Sequence, residues 1–393
     1  MLGAQPATDP ADLYANHRWF ELREVMANVS TVPSVYRAAL ACAFHDTTRC
    51  ETDVRQALVG ASADREYQLR EFLNAFYFRA GRYQFASREL RRMAELRPGA
   101  ADVANALPLL VALSRHDDQA TIAWAPSSLP IHRRNENFPL PLTINGAAAH
   151  YFFDTGANVS VMTEAEAKRL HLTVYDVSSR VSNTAGDAVV VRVATAEDLV
   201  AGGVRLKNVA FLVFRDDQEP FRELPLGSRG AIGLPVLLAF GTFSWGIDTF
   251  EIGDSTAGRP LANLCFDGAL PIVRLSFEGT PLVFNLDTGA EETMLWPPFA
   301  TAFADLIGRS GRAMTTSVNG VGSSVNAASR ELPRVDLTLG GRVVRLAPAS
   351  VLLQSTTADT RRRFGNLGLD LLNQAARTTI SFRSMSLALD GPK

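Results

Sequence analysis

The tripeptide Asp-Thr-Gly occurs twice in this chain, at 154–156 and at 287–289, and each copy follows a hydrophobic run. Two carboxyl groups that are brought together share one proton, because both cannot carry a charge at close range. One then acts as a base toward a water molecule while the other acts as an acid toward a carbonyl group. The doubled motif therefore predicts acid-base hydrolysis by a pair made of Asp154 and Asp287.

Both copies of the tripeptide share a longer frame. Apolar runs at 151–153 and 283–286 precede them, and Ala157 and Ala290 follow directly. Each frame predicts a buried strand that runs into a turn, where a Gly lets one backbone approach another closely.

A second pattern, apolar residues followed by Gly, comes later in each half, at Ile232-Gly233 and at Leu367-Gly368. The distance from Asp to this Gly is 79 residues in one half (233 − 154) and 81 in the other (368 − 287). Alternating strands closed by a Gly turn, at 139–146 and 271–279, begin the two halves. A shared internal period indicates a duplicated unit.

The segments 286–295 and 365–372 resemble the active-site segment and the later Gly motif of retropepsin-like aspartic peptidases. The resemblance is greatest to bacterial relatives with two such units in tandem and more remote to the two-lobed pepsins; it covers residues 130–391. It implies an all-β bilobal peptidase without a cofactor, in which each Asp loop is crossed by an apolar-apolar-Gly segment. The two loops then meet where the lobes meet.

The resemblance also assigns supporting roles. The two Thr hydroxyls are expected to bond across the lobe interface, and the two Gly amides are expected to bond the carboxyl groups. Pepsins commonly place a hydroxyl where this chain has Ala, so we expect a mildly acidic to near-neutral optimum. The supporting residues are Thr155, Gly156, Ala157, Thr288, Gly289 and Ala290.

One feature departs from the family pattern. Retroviral enzymes usually carry an Arg after the later Gly, which pairs with an acidic residue near the catalytic loop. Here Asp370 and Pro235 stand in that region, so we expect the ion pair to be absent or replaced.

An enzyme of this type needs a flexible hairpin that covers the substrate and excludes water. Each half offers one such segment between its Asp motif and its Gly motif. An ordinary surface hairpin is the alternative for each. The candidate flap residues are Asn183, Thr184, Ala185, Gly186, Asn319, Gly320, Val321 and Gly322.

From residue 12 to about residue 114 the periodicity is helical, most clearly over 67–96, with a turn at Gly81-Arg82. This stretch resembles a tetratricopeptide hairpin, although a solenoid needs at least about three copies. Two interpretations stay open: a scaffold that docks a protein partner or positions substrate, and a structural cap packed on the peptidase.

We therefore expect a multidomain α and β chain. The predicted boundaries are 1–116 for the helical domain, 117–137 for a linker, 138–254 for the first lobe, 255–270 for a linker and 271–393 for the second lobe.

Composition excludes several classes. The 393 residues carry a net charge of −2, which argues against nucleic acid as the principal partner. No apolar run reaches the roughly 18 residues of a membrane span. The His and Cys spacings match neither HExxH nor CxxC, so a metal site is not expected.

Cys42 and Cys50 flank an expected turn between helices, so a disulfide is feasible, and two free thiols are the alternative. Cys265 has no expected partner. A disulfide indicates an oxidising compartment. The first residues lack a basic and apolar export signal, so the protein is either cytoplasmic or had a signal removed. Because tandem bacterial enzymes of this kind are often exported, the resemblance favours export.

Three functional hypotheses remain. The first is an endopeptidase that needs no dimer, since one chain supplies both Asp154 and Asp287. The second is a non-catalytic peptide-binding module with a helical interaction scaffold. The third pairs each lobe with its counterpart in another molecule.

Overall fold

The computed structural model of the protein describes residues 9–133, 136–182, 188–253, 261–320, 323–355, 357 and 359–392. A helical region comes first, and two curled β half-barrel lobes follow in a pepsin-like bilobal arrangement. This confirms the predicted fold class.

The helical region consists of consecutive antiparallel pairs. Ser62 caps helix α5 (Ala63–Arg79) by accepting a hydrogen bond from the Arg65 amide, and Gly81, with φ of +70°, makes the turn into α6 (Tyr83–Leu96). The predicted hairpin over 67–96 is therefore present, whereas its tetratricopeptide identity stays a prediction. The helices are α1 (Pro10–Ala15), α2 (Trp19–Met26), α3 (Ser34–Ala43), α4 (Arg49–Leu58), α5 (Ala63–Arg79), α6 (Tyr83–Leu96) and α7 (Ala101–Leu113).

Two of the three cysteines are joined. Cys42 and Cys50 form a disulfide between the end of α3 and the start of α4, and Cys265 is a buried free thiol.

In the first lobe, the strand that leads into Asp154 pairs in parallel with the strand of the later Gly motif, in the register Phe153 to Ile232. The sheet order is β1-β9-β8-β3-β4-β11-β5-β10-β7-β6. The elements are β1 (Ala120–Ala123), β2 (Ser127–Pro130), β3 (Leu140–Ile144), β4 (Ala147–Phe153), β5 (Ser160–Thr163), α8 (Glu164–Arg169), β6 (Val174–Ser182), β7 (Ala188–Ala196), β8 (Leu199–Ala201), β9 (Val204–Lys207), β10 (Val209–Phe214), β11 (Gly230–Ile232), α9 (Leu234–Phe240), β12 (Thr242–Trp245) and β13 (Thr249–Ile252).

The second lobe repeats this arrangement: its Asp strand pairs in parallel with its Gly-motif strand, in the register Leu286 to Leu367. The sheet order is β18-β19-β22-β17-β23-β16-β15-β20-β21, with β14 beside β15. The elements are β14 (Leu264–Asp267), β15 (Leu270–Phe277), β16 (Thr280–Leu286), β17 (Met294–Leu295), α10 (Pro297–Ala302), α11 (Ala304–Ser310), β18 (Arg312–Gly320), β19 (Ser323–Leu332), β20 (Val335–Leu339), β21 (Arg342–Leu346), β22 (Ala349–Leu352), α12 (Asp359–Arg362), β23 (Gly365–Leu367), α13 (Leu369–Leu372), β24 (Ala375–Ser381) and β25 (Ser386–Pro392).

A third sheet belongs to both lobes. Its order is β2-β13-β12-β24-β25, and β12 of the first lobe pairs antiparallel with β24 of the second. The buried hydroxyls of Thr242 and Ser381 lie 2.8 Å apart across this junction, and the Trp245 indole donates to Asn373 at 2.9 Å. Backbone pairing therefore fixes one lobe against the other.

The helical region packs on both lobes. Helix α7 lies along β6 of the first lobe, and Trp19 and Phe20 share an apolar cluster with Cys265 and Ile272 of the second. Arg79, 2% exposed, donates to the Gly268 carbonyl of the second lobe at 2.8 Å. These contacts fit the structural-cap interpretation, whereas docking of a partner stays a prediction.

Both stretches that were predicted as linkers contain strands. β1 and β2 lie within 117–137, where they extend the edges of two sheets, and β14 lies within 255–270, where it pairs with β15. Unpaired edges of neighbouring strands explain why these short segments take up strand structure. Among the described residues, none forms a helix long and apolar enough to cross a membrane.

Candidate active site

The two Asp-Thr-Gly turns occupy equivalent positions in their lobes. Asp154 directly follows β4 and its amide donates to the Ile232 carbonyl at 2.9 Å. Asp287 directly follows β16 and its amide donates to the Leu367 carbonyl at 3.0 Å. The neighbouring parallel strand therefore fixes the position at which each Asp leaves its sheet.

The later Gly motifs cross these turns as expected. A Cβ at Gly233 would lie 2.6 Å from the Ala157 carbonyl oxygen, and one at Gly368 would lie 2.9 Å from the Ala290 carbonyl oxygen. No side chain fits at either crossing. The close approach explains why each crossing segment carries a Gly.

Backbone amides hold both carboxyl groups. Oδ1 of Asp154 accepts from the amides of Gly156 at 2.8 Å and Ala157 at 3.1 Å. Oδ1 of Asp287 accepts from the corresponding amides of Gly289 at 3.0 Å and Ala290 at 3.2 Å. The two Ala side chains lack hydroxyls, as the sequence requires, but their amides still donate.

The two turns lock together through Thr155 and Thr288, which are both fully buried. The amide of each Thr donates to the hydroxyl of the other at 3.0 Å. Each hydroxyl in turn donates to a backbone carbonyl of the opposite lobe, at Leu286 and at Phe153. This reciprocal set brings the two carboxyl groups of one chain face to face.

Substitution of Thr288 by Val tests this lock. The change leaves the Thr155 amide and the Phe153 carbonyl without a partner in a dry interface, so we expect a loss of about 2 to 4 kcal/mol in the free energy of unfolding. Urea denaturation of the purified protein measures it. Thr301→Val is the control, because that exposed hydroxyl bonds only within its helix and should change stability by less than about 0.5 kcal/mol. Equal effects of the two substitutions would contradict the lock.

The carboxyl pair favours one proton. Burial, followed by the charge of Asp287, raises the pKa of Asp154 to about 8. A hydrogen bond with the Asp287 carboxyl acts in the same direction, whereas the Gly156 and Ala157 amides oppose it. At neutral pH the pair therefore holds a proton and a charge together, the state that acid-base hydrolysis needs.

The surroundings of the pair are asymmetric in one respect that sequence reasoning missed. The side-chain amide of Asn366, on β23, donates to Oδ2 of Asp287 at 2.8 Å. The register of the Asp strands makes Ala231 its counterpart in the first lobe, since Phe152 pairs with Ala231 as Asn285 pairs with Asn366. The one signal in the sequence was a polar residue in an otherwise apolar motif.

Each lobe also has a hydroxyl group near its Asp turn whose role was not predicted from the sequence. Ser160 Oγ accepts from the Gly233 amide at 2.9 Å, and Thr293 Oγ1 accepts from the Gly368 amide at the same distance. Both stand six residues after their Asp, which was the available signal. In the second lobe Asp370 accepts from the Thr293 amide and hydroxyl, so this contact occupies the region of the missing ion pair.

The flap candidates are only partly described. Asn183, Thr184, Ala185, Gly186, Val321 and Gly322 lie outside the described residues. Asn319 and Gly320 end β18, which pairs with β19 as a hairpin. In the first lobe β6 and β7 pair as far as Ser182 and Ala188. Each repeat thus has paired strands on both sides of its candidate.

Within the described part of the chain, no cluster of three or more His, Cys, Asp or Glu side chains could hold a metal ion.

Comparison with known proteins finds a family match within the first lobe. Residues 140–236, which include the first Asp-Thr-Gly and Gly233, match the family described as Aspartyl protease. This stretch of the first lobe is thus similar to an aspartyl protease domain. No curated protein matches the chain.

Three solved structures are similar to parts of the chain. A retropepsin-like aspartic protease from Rickettsia conorii is 19% identical, covering 34% of this chain and 93% of its own, with a TM-score of 0.24. Basic 7S globulin from soybean is 10% identical, covering 67% and 94%, with a TM-score of 0.34. The protein edgp is 11% identical, covering 68% and 95%, with a TM-score of 0.36. Likenesses at these TM-scores carry no weight for activity.

Proposed function

We propose that this protein is an aspartic endopeptidase that hydrolyses peptide bonds in peptide or protein substrates. The observation that carries the proposal is the reciprocal Thr155 and Thr288 contact, which holds Asp154 and Asp287 in equivalent turns facing each other. Binding alone does not require two carboxyl groups kept together at an electrostatic cost. The domain match over residues 140–236 supports the same reaction class.

In the proposed reaction, the charged carboxylate takes a proton from a water molecule, and the water oxygen bonds to the peptide carbonyl carbon. The protonated carboxyl gives its proton to the carbonyl oxygen, so a neutral gem-diol forms. The C–N bond then breaks as the amine nitrogen receives a proton from the carboxyl that took it from water. At the same time the other carboxylate takes a proton from one gem-diol hydroxyl, which becomes the carbonyl of the new carboxyl group. Each carboxyl acts once as acid and once as base, and no cofactor enters.

One chain supplies both halves of the proposed site, so we expect a monomer to be active. Specific activity on dilution, followed together with gel filtration, tests this. A loss of specific activity as the concentration falls would instead support lobes that pair between molecules.

A library of unstructured peptides, made by digesting a proteome, tests the proposed activity. The library is incubated with the protein, and the products are identified by mass spectrometry. We expect new termini inside peptides, which identifies an endopeptidase and reports its preferred side chains. Peptides that bind and stay intact across about pH 3 to 8 would instead support the non-catalytic binding module.

The pH dependence follows from the protonation of Asp154. Because its pKa is raised to about 8, the pair keeps its shared proton through neutral pH and loses it as the pH rises through that value. We expect kcat/KM to persist at pH 7 and to fall above about pH 8. Initial rates on a library-derived peptide measure the profile. Activity confined to strongly acidic pH would contradict this expectation.

We further propose that the protein acts in an oxidising, exported environment, which the Cys42–Cys50 disulfide supports. Fractionation of the native cell with thiol labelling of the protein tests this. Unmodified Cys42 and Cys50 labelled in a cytoplasmic fraction would contradict it.

A further inference from the structure

We propose that Asn366 determines which carboxyl of the pair carries the charge: its side-chain amide stabilises a charged Asp287, which acts first as the base, and leaves the proton on Asp154, which acts first as the acid. The proposal rests on the proposed function for its mechanistic meaning. The location of the proton can be measured whether or not the protein cleaves peptides.

The two carboxyl groups accept different numbers of hydrogen bonds. Asp287 receives three N–H donors: the amides of Gly289 and Ala290 on Oδ1 and the Asn366 side chain on Oδ2. Among the described contacts, Asp154 receives two, from the amides of Gly156 and Ala157. A carboxyl that accepts more N–H bonds is favoured in its charged form.

Among the residues that the structure describes, the extra donor to Asp287 has no counterpart in the first lobe. Ala231 occupies the matching register position beside β4, and a methyl group cannot donate. Asn366 is 9% exposed, so little water competes for its amide. The near-twofold symmetry of the turns is thus broken at one side chain.

Other carboxyl groups lie on the Asp287 side of the pair. Asp154 and Asp287 face each other across the interface. Glu291 and Glu292, on the turn after Asp287, are exposed to solvent, and Asp370 on α13 is engaged with Thr293. Negative charge on the Asp287 side of the pair would, by itself, favour a proton on Asp287. The hydrogen bond from Asn366 has the opposite effect, because it stabilises the charged form of Asp287.

The opposite assignment, with the proton on Asp287 and the charge on Asp154, requires a different orientation of the Asn366 amide. If the Asn366 amide were rotated by half a turn, its oxygen would accept from a protonated Asp287 and Asp154 would carry the charge. The two amides that Asp287 already accepts favour the first arrangement, because neutral carboxyl groups accept amide bonds less strongly.

Carbon-13 NMR of the side-chain carboxyls of labelled aspartate tests the proposal on the free protein, with the two signals assigned by Asp154→Asn and Asp287→Asn. Near neutral pH we expect the Asp154 signal to be that of a protonated carboxyl and the Asp287 signal that of a carboxylate, with a preference of about tenfold or more. In Asn366→Leu, which keeps the volume and removes the donor, the preference should fall toward equality.

The kinetic test uses the same variant. With the donor removed, the apparent pKa of the acidic limb of the kcat/KM profile should rise by about half to one pH unit. The apparent pKa of the alkaline limb should rise by less than about 0.3 unit. The two shifts differ because the two carboxyl groups then compete equally for the single proton. Asn366→Ser, a shorter donor, should restore part of the shift and serves if the Leu variant folds poorly. Asn285→Leu is the matched control on the paired strand, since its side chain makes no hydrogen bond among those described.

The outcomes separate the two proposals. A wild-type protein that shows the expected NMR asymmetry but no cleavage would contradict the peptidase and leave the proton location intact. A protonated Asp287, or an Asn366→Leu profile that matches Asn285→Leu, would overturn the role of Asn366.

Discussion

Replacement of either Asp154 or Asp287 by Asn is expected to abolish the proposed peptide cleavage, with kcat/KM reduced by at least about a thousandfold in each variant. Asn has the shape of Asp but can neither take a proton from water nor give one to a carbonyl oxygen. General acid-base catalysis typically contributes two to four orders of magnitude, and loss of either group disables the pair as a unit. Initial rates on a library-derived peptide measure the effect.

The control for both variants is Asp305→Asn, which changes an exposed carboxyl in α11 away from the pair. It should retain wild-type rates. Thermal unfolding of the site variants should occur at or above the wild-type temperature, because a neutral Asn lowers the electrostatic cost of keeping two ionisable carboxyl groups together in a buried site. Cleavage that survives both single substitutions would remove Asp154 and Asp287 from the proposed mechanism.

Substitution of Gly289 by Ala is expected to displace the opposite carboxyl group and to lower kcat/KM of the proposed reaction by about a hundredfold or more. A Cβ at this position would lie 2.4 Å from Cγ of Asp154 and 2.5 Å from its Oδ2. The carboxyl must therefore move, and misplacement by about 1 Å costs on the order of a hundredfold in rate. Gly156→Ala should be milder, since its Cβ would lie 2.9 Å from Cγ of Asp287.

Gly308→Ala is the matched control, because Gly308 lies inside α11 and a Cβ there meets nothing within 4 Å. That variant should keep full activity and gain slightly in stability, as Ala is the better helix former. Unchanged cleavage by Gly289→Ala would show that the two carboxyls do not approach as closely as the structure places them.

The strands and crossings around the pair could be predicted because their pattern is local. An apolar run before Asp-Thr-Gly and a later Gly recur in both halves, and a crossing with Cβ distances below 3 Å tolerates no other residue at Gly233 or Gly368. The roles of Thr155 and Thr288 came from the family resemblance, since nothing in a single Thr indicates a partner 133 residues away.

The asymmetry at Asn366 could not be predicted for a different reason. Its amide reaches Asp287 because β23 pairs with β16 in one particular register, and a shift by one residue would turn the side chain to the other face. The strands β2 and β14 were not predicted for a related reason: short segments become strands where a neighbouring edge is open. Such pairing is a property of the assembled sheets.

The sheet shared by the lobes gives the protein an order of assembly. β12 precedes the second catalytic turn in the chain, yet its partner β24 follows both turns and both Gly motifs. During synthesis the ribosome therefore releases the closing strand only after every residue of the carboxyl pair has emerged. Until residues 375–381 have emerged, β12 lacks its partner from the second lobe, so the sheet that fixes one lobe against the other forms after both catalytic turns have been made.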